Sequence, residues 1–364
     1  MDQKDFVFIG RPARVIFGNG SLRHLEREVD LVGARRALVL CTPTRRDEGE
    51  RVAALLGARC AGLFDAAAMH VPIEAARAAR EMAARLGADC AVAIGGGSTI
   101  GLGKAIALES PLPIVAIPTT YAGSEMTTIF GITEAGVKKT GRDERVLPRT
   151  VIYDPQLTLG LPARVSVTSG MNAIAHAAEG FYSVNTNPVI DLMAQEGIAA
   201  FARALPVIAH TAPGTGGEHG EALLQARRDA LYGAWLCGTV LASVDMALHH
   251  KLCHTIGGSF NLPHAETHTV ILPHALAYNA PAAPGAMALT AKALGGRASA
   301  ARAAFDLARD NGAPVSLREL GFQAGDLDRA CDQAMQNQYP NPRPLERAAL
   351  RQLLQDAFEG RRPD

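Results

Sequence analysis

The chain has 364 residues, 48% of them hydrophobic and 20% charged, which is enough for two domains, each with its own core. Lysine plus arginine and aspartate plus glutamate balance at 36 each, so no bulk field favours nucleic acid or an anionic membrane, and any anion must be held by local groups. Met1-Asp2-Gln3-Lys4-Asp5 lacks the apolar core of a signal peptide, and the apolar runs beyond it are broken by Gly, Pro or Lys104, so a cytoplasmic protein is expected.

Arg11 to Phe17 alternates as a strand does, and Gly18-Asn19-Gly20-Ser21 turns into a helix with Ser21 as its cap. Ala37 to Cys41 is a short buried strand, Glu48 to Leu56 a helix, Ala61 to Phe64 a strand and Ile73 to Leu86 an Ala-rich helix. Cys90 to Ile94 runs into Gly95-Gly96-Gly97-Ser98, a helix follows from Thr99 to Leu108, and the strand Ile114 to Ile117 ends in Pro118-Thr119-Thr120. This alternation predicts a Rossmann-like α/β domain with a mainly parallel sheet. Beyond Asp154-Pro155 the chain reads as helices only: 169–182, 188–208, 220–245, 249–257, 270–279, 284–294, 298–312, 326–335 and 345–358. The predicted domains are therefore residues 1–156, α/β, and 157–364, all-α, and a cleft between two such domains commonly holds a ligand. His210 to His219 is read as a loop. The six cysteines form no Cys-x-x-Cys pair and read as buried thiols.

Glycines directly after a buried strand and before a helix let backbone N–H groups approach a phosphate, with the positive helix end behind them. Gly95 to Ser98 fits that use, and it also fits a plain tight turn, because the strict Gly-x-Gly-x-x-Gly pattern is absent. Gly103-Lys104 is no Walker A ending, since Ser98 stands where its first glycine belongs and Ala105 follows the lysine. Pro118 to Glu125 adds a second phosphate-friendly turn at a neighbouring strand end, which favours a nucleotide.

Five of the eleven histidines fall between His249 and His268. Asn172 and His176 stand four apart on one helix and His250 and His254 on another, so each pair shares a helix face. His176, His250 and His264, the last beyond a Gly-Gly bend, have the makings of three metal ligands, with Asn172 a poor fourth because an amide gives no anionic oxygen.

These motifs together resemble the iron-containing alcohol dehydrogenase superfamily, with a dehydroquinate synthase-like fold, and within it the branch of maleylacetate reductases. The likeness runs from Arg14-Val15-Ile16-Phe17-Gly18 to Asn341-Pro342-Arg343-Pro344 and includes Gly123-Ser124-Glu125, Asp154-Pro155 and Ser169-Gly170-Met171-Asn172-Ala173. It implies that Gly96, Gly97 and Ser98 hold the pyrophosphate of NADH or NADPH, and that Thr119, Thr120, Ser124 and Thr127 line the rest of that site. NAD-specific members carry an Asp where this chain has Thr42, with Arg45 and Arg46 close behind, so use of both cofactors is expected. Metal-bearing members use an Asp and three His; here the positions read Asn172, His176, His250 and His264, so no tightly bound metal is expected. Gly101 stands where the superfamily often has Asp, and Gly101-Leu102-Gly103-Lys104 resembles the reductase branch, as do Gly131-Ile132-Thr133-Glu134 and the segments Val137 to Asp143 and Arg145 to Pro148 that follow it.

The implied reaction is reduction of maleylacetate to 3-oxoadipate in aromatic degradation, by a cytoplasmic homodimer acting on a small dicarboxylate. His250 and His254 are expected beside the nicotinamide, with His176 and His264 completing a polar cage. Arg142, Lys138 and Lys139 are candidates for the substrate carboxylates, their alternative being an exposed basic loop. A metal-dependent alcohol dehydrogenase, a dehydroquinate synthase-like cyclase and a nucleotide-binding protein without turnover stand as alternatives.

Overall fold

The computed structural model describes Phe6, Phe8, Gly10 and residues 14–364 except Gly136, Pro213, Thr215, Arg297 and Ala298, and only the backbone of Val137, Lys138 and His219. The expected strand start at Arg11 and helix start at Ala298 therefore lie outside the described residues, as does the side chain of Lys138. Two compact units divide at Gly160/Leu161.

The first unit carries β1 (Arg14–Phe17), α1 (Leu25–Leu31), β2 (Ala37–Leu40), α2 (Arg46–Leu56), β3 (Cys60–Phe64), α3 (Ile73–Leu86), β4 (Cys90–Gly95), α4 (Gly97–Ala107), β5 (Ile114–Pro118), β6 (Ile129–Glu134), β7 (Val137–Arg142) and β8 (Thr150–Tyr153). Six strands form one sheet in the order β1-β8-β5-β4-β2-β3, and every pairing in it is parallel. The strands are apolar on both faces because both are covered. Val39, Val92 and Ile117 pack on one side with Leu25 and Val29, while Leu38, Ala91 and Ala93 pack on the other with Ala76 and Ile106. Each fully buried Val, Leu or Ile contributes about 1.5–3 kcal/mol, which sets the strand register firmly.

Ser21 does not cap the first helix. Its Oγ donates to the Tyr153 carbonyl at 3.0 Å, and the helical turn it opens is capped by Asp154, whose carboxylate accepts from the N–H groups of Gly20 and Leu22 at 3.0 and 3.1 Å. A distant carboxylate supplies two acceptor oxygens where the serine has one hydroxyl, and adjacent parallel strands β1 and β8 bring it there. The segment read from sequence as a basic loop is the antiparallel hairpin β6–β7, in which Ile129 pairs with Arg142 and Ile132 with Lys139.

The second unit is helical throughout its described residues: α5 (Ala163–Gly180), α6 (Pro188–His210), α7 (Gly217–Ser243), α8 (Leu248–Phe260), α9 (His264–Asn279), α10 (Pro284–Ala293), α11 (Ala300–Asp310), α12 (Leu327–Ala334) and α13 (Arg347–Glu359). Helix α5 is buried without interruption from Ser166 to Gly180 and packs against α6, α7 and α9. Its small residues allow that approach: a Cβ on Gly170 would stand 2.9 Å from a Leu205 methyl. Helix α6 is long and apolar enough to cross a membrane, so not every apolar run is interrupted as the sequence suggested. In this fold it packs along α5 and α7. Gly257 and Gly258 do not bend the histidine stretch either. They lie inside α8, and the chain breaks at Asn261, which takes a left-handed φ of 54° just before Leu262-Pro263.

Candidate functional site

The strand order reverses between β2 and β4, so the carboxyl ends of these strands flank the crevice where open α/β sheets bind ligands. Gly95 ends β4 at φ 150°, and α4 begins two residues later at Gly97. A Cβ on Gly96 would lie 3.0 Å from Thr120 Cγ2, so the glycine turn and the Pro118-Thr119-Thr120 turn are in close contact and a larger residue would have to push the Thr120 side chain aside. The Thr119 N–H donates to the Gly95 carbonyl at 3.0 Å and ties the two turns together. Gly96, Gly97, Ser98, Thr120 and Ser124 are partly exposed along these turns, whereas Thr119 is buried. A Cβ-free cradle at a helix N-terminus fits the phosphates of a dinucleotide.

Thr127 is 1% exposed and faces into its turn, where its hydroxyl donates to the Ser124 carbonyl at 3.1 Å and accepts from the Ile129 N–H at 3.2 Å. It supports the turn from within. Lys104, unremarked as a site residue in the sequence, is fully buried on α4 and sends Nζ to the carbonyls of Ser124, Thr127 and Ile129 at 2.6, 2.8 and 2.7 Å and to Thr127 Oγ1 at 3.0 Å. Burial pushes its ammonium down to about 7, while the charge of Glu125 pulls the other way. Burial likewise raises the Glu125 carboxyl, which accepts from Tyr153 Oη at 2.7 Å. Gly101 has a packing reason for lacking a side chain: a Cβ there would meet Val71 Cγ2 at 2.7 Å, and Val71 itself is held at φ 49°.

At the end of β2, Thr42 is partly exposed and within 3.2 Å of Thr44 Oγ1. The two arginines behind it are already engaged. Arg45 pairs with Glu48 at 2.6 Å, and Arg46 pairs with Glu50 at 2.8 Å and with Asp65 beyond the end of β3. Both guanidinium groups behind Thr42 are therefore paired, Arg46 in part because the β2–β3 pairing brings Asp65 beside it.

In the second unit, α5 packs on α9 and α9 on α8, which brings His176 together with the histidines of the 249–268 stretch. His176 Nδ1 lies 2.9 Å from His250 Nε2, and His250 Nδ1 lies 2.6 Å from Glu179 Oε2. Glu179 was missed in the sequence, although it stands three residues after His176 on the same helix face. Its carboxylate also accepts from the N–H groups of Ala247 and His249 at 2.8 and 2.7 Å, the open first turn of α8. A carboxylate on Nδ1 calls for the ring proton there; with Nδ1 as the only protonated nitrogen of His250, Nε2 accepts from His176 Nδ1–H and the His176 lone pair stands on Nε2.

His268 is buried, with its Nδ1 2.9 Å from His249 Nε2 and its ring centroid 4.3 Å from that of His264. Burial, reinforced by the neighbouring imidazoles, holds His249 and His268 well below the ordinary histidine range. His254 and His264 are exposed, and His254 Nδ1 meets Tyr339 Oη at 3.1 Å. Asn172 is buried, and its Oδ1 has no hydrogen-bond partner among the described residues. Arg142 and Lys139 are exposed on the hairpin of the first unit, and Lys139 is bonded to Glu134 at 2.8 Å.

Iron needs several donors converging on one point, preferably with an anionic oxygen. Among the described residues, the one His/Cys/Asp/Glu trio whose ligand atoms lie within 4.8 Å of one another is His249, Cys253 and His268, not His176, His250 and His264. His176 and His250 turn nitrogens toward each other at hydrogen-bond distance, and Asn172 offers no charge. This donor set does not fit an iron site.

Residues 12–155 match the family described as iron-containing alcohol dehydrogenase, and residues 166–358 match its C-terminal part. The chain is 63% identical over 359 residues to a maleylacetate reductase from Burkholderia cepacia, covering 98% of this chain and 99% of that protein. It is 59% identical over 359 residues to one from Pseudomonas sp. strain P51, covering 99% of each. The crystal structure of maleylacetate reductase from Agrobacterium tumefaciens superposes with a TM-score of 0.93 at 51% identity, covering 99% of this chain and all of that one.

Proposed function

The chain belongs to the iron-containing alcohol dehydrogenase family, and from that premise we propose that it is an oxidoreductase reducing the C=C bond of maleylacetate to give 3-oxoadipate. The single observation that carries this reading is the match along the whole chain to maleylacetate reductases.

The substrate is a dicarboxylate whose double bond is conjugated with a ketone. NADH or NADPH, when bound, supplies a hydride to the carbon β to that ketone. Negative charge then collects on the ketone oxygen as an enolate, and a proton completes the product. The residues of this chain divide the remaining work. Gly96, Gly97 and Ser98 hold the pyrophosphate, Thr119, Thr120 and Ser124 line the neighbouring turn, and Thr42 accepts either form of the ribose because it repels no phosphate. His254 and His264 hold the enolate oxygen by N–H groups aimed at the developing charge, usually the largest catalytic term, while His250 and His176, whose Nδ1–H groups are directed to Glu179 and to His250, complete the polar cage. The Glu179–His250–His176 chain holds and returns the proton. Arg142 takes a substrate carboxylate through two parallel hydrogen bonds, a geometry that Lys139 lacks. The reading extends to a homodimer working in the cytoplasm.

The test is loss of the nicotinamide absorbance when maleylacetate is added to protein and NADH, with 3-oxoadipate identified by mass. Oxidation of simple alcohols by NAD+ at a higher kcat/KM than this reduction would overturn the reading.

A further inference from the structure

We infer that Lys104 is a positioning residue for the dinucleotide: its ammonium holds the turn Ser124–Ile129 in the shape that the cofactor meets. This rests on the cofactor role proposed above for Ser124, Thr119 and Thr120.

Three carbonyls, those of Ser124, Thr127 and Ile129, converge on one nitrogen within 2.8 Å. Converging carbonyl oxygens repel one another unless a cation or three donors stand at the centre. An ammonium has three N–H groups and no lone pair, so it satisfies all three, whereas a neutral amine would turn a lone pair toward one of them. Burying a charge is expensive, and a leucine or methionine would fill the same space without that penalty. The return for the charge is the geometry of the turn. Tyr153 adds a second tie to the same turn, its Oη donating to the Glu125 carboxyl at 2.7 Å.

The placement of Lys104 on α4 joins two parts of the cofactor site. Helix α4 starts at Gly97, inside the glycine turn, and Lys104 lies seven residues farther along, roughly 10 Å at 1.5 Å per residue. One turn is attached to this helix by the chain and the other by Nζ, so both are referred to a single rigid element. The Thr127 hydroxyl, at 3.0 Å from Nζ, belongs to this support.

The test is the dissociation constant for NADH, measured by fluorescence titration without turnover. In Lys104→Met it rises at least tenfold, while kcat at saturating NADH and KM for maleylacetate stay within threefold. Amide exchange quickens in residues 124–129 and not in β4 or β5. In Lys104→Ala, added ammonium or methylammonium recovers part of the NADH affinity and tetramethylammonium does not, as expected for a vacated ammonium site. A folded Lys104→Met protein that binds NADH within twofold of the parent overturns the inference, as does an equal loss in affinity, kcat and substrate KM. Should Lys104→Met fail to fold, Thr127→Val, which removes the hydroxyl's bonds to Nζ, to the Ser124 carbonyl and from the Ile129 N–H, is expected to weaken NADH binding about threefold, and unchanged binding there overturns the inference too. Parent protein that binds NADH but leaves maleylacetate unreduced contradicts the reductase reading and leaves this test in force. Parent protein that binds no NADH overturns the inference.

Discussion

Glu179 Oε2 lies 2.6 Å from His250 Nδ1, with both side chains buried, and this contact decides which nitrogen of His250 faces His176. Removing the charge while keeping the shape tests that control. Glu179→Gln is expected to lower kcat by about 10–100-fold, the usual effect of losing a partner that orients a functional imidazole. The NADH dissociation constant stays within threefold. A kcat within threefold of the parent would show that the tautomer is set elsewhere.

Arg142→Ala is expected to raise KM for maleylacetate by roughly tenfold or more, as loss of a charged hydrogen-bonded clamp costs about 1.5–3 kcal/mol. Lys139→Ala leaves KM within twofold, because that ammonium is exposed and already bonded to Glu134. Steady-state kinetics with maleylacetate varied at saturating NADH reads both, and equal effects of the two changes would remove the assignment of Arg142.

For the cofactor, kcat/KM with NADH and with NADPH is expected to differ by less than about a hundredfold, or about 2.7 kcal/mol. Arg46 is shared between Glu50, at Nε, and Asp65, at Nη1, so Asp65→Ala frees the Nη1 side of its guanidinium and moves the ratio toward NADPH. A ratio unmoved by Asp65→Ala would place the ribose away from Arg46.

Asn172→Asp restores the anionic oxygen that a divalent ion requires beside His176. Elemental analysis of protein purified without chelator is expected to find stoichiometric iron or zinc in the variant and less than a tenth of that in the parent. Equal metal in both would mean that the amide suffices.

Burial pushes His274 down to about 4, and its Nε2 has no hydrogen-bond partner among the described residues. Between pH 6.5 and 4 the unfolded chain binds a proton that the folded chain refuses. Stability is therefore fully present above pH 6.5 and falls through that window, by about 3 kcal/mol for this one group. His249 and His268 act in the same direction. Urea midpoints measured at pH 7 and pH 5 should show the fall, and His274→Leu should lessen it; an identical slope in the variant would assign the loss to other groups.

Much of this protein is legible along the chain. The buried strands from Ala37 to Ile117 and the helices between them are written as short apolar runs and 3.6-residue periods, because a strand covered on both faces must be apolar throughout. The glycine turn and the i, i+4 spacing of Asn172 with His176 and of His250 with His254 are local patterns too, and a missing carboxylate at Asn172 shows in one letter. What escapes such reading depends on residues brought together by packing. Glu179 and Lys104 look like an ordinary helix acid and base, and only the crossing of α5, α8 and α9, or the folding of a turn over α4, gives each its partners. The same holds for Asp154 taking the cap from Ser21, Asp65 reaching Arg46, and the β6–β7 hairpin, whose described side chains are only half-buried or exposed and so lack a strong apolar rhythm. Local sequence determined which elements form and which residue types are available. The tertiary structure decided which charges are paired, because a buried or shared charge is set by neighbours distant in the chain.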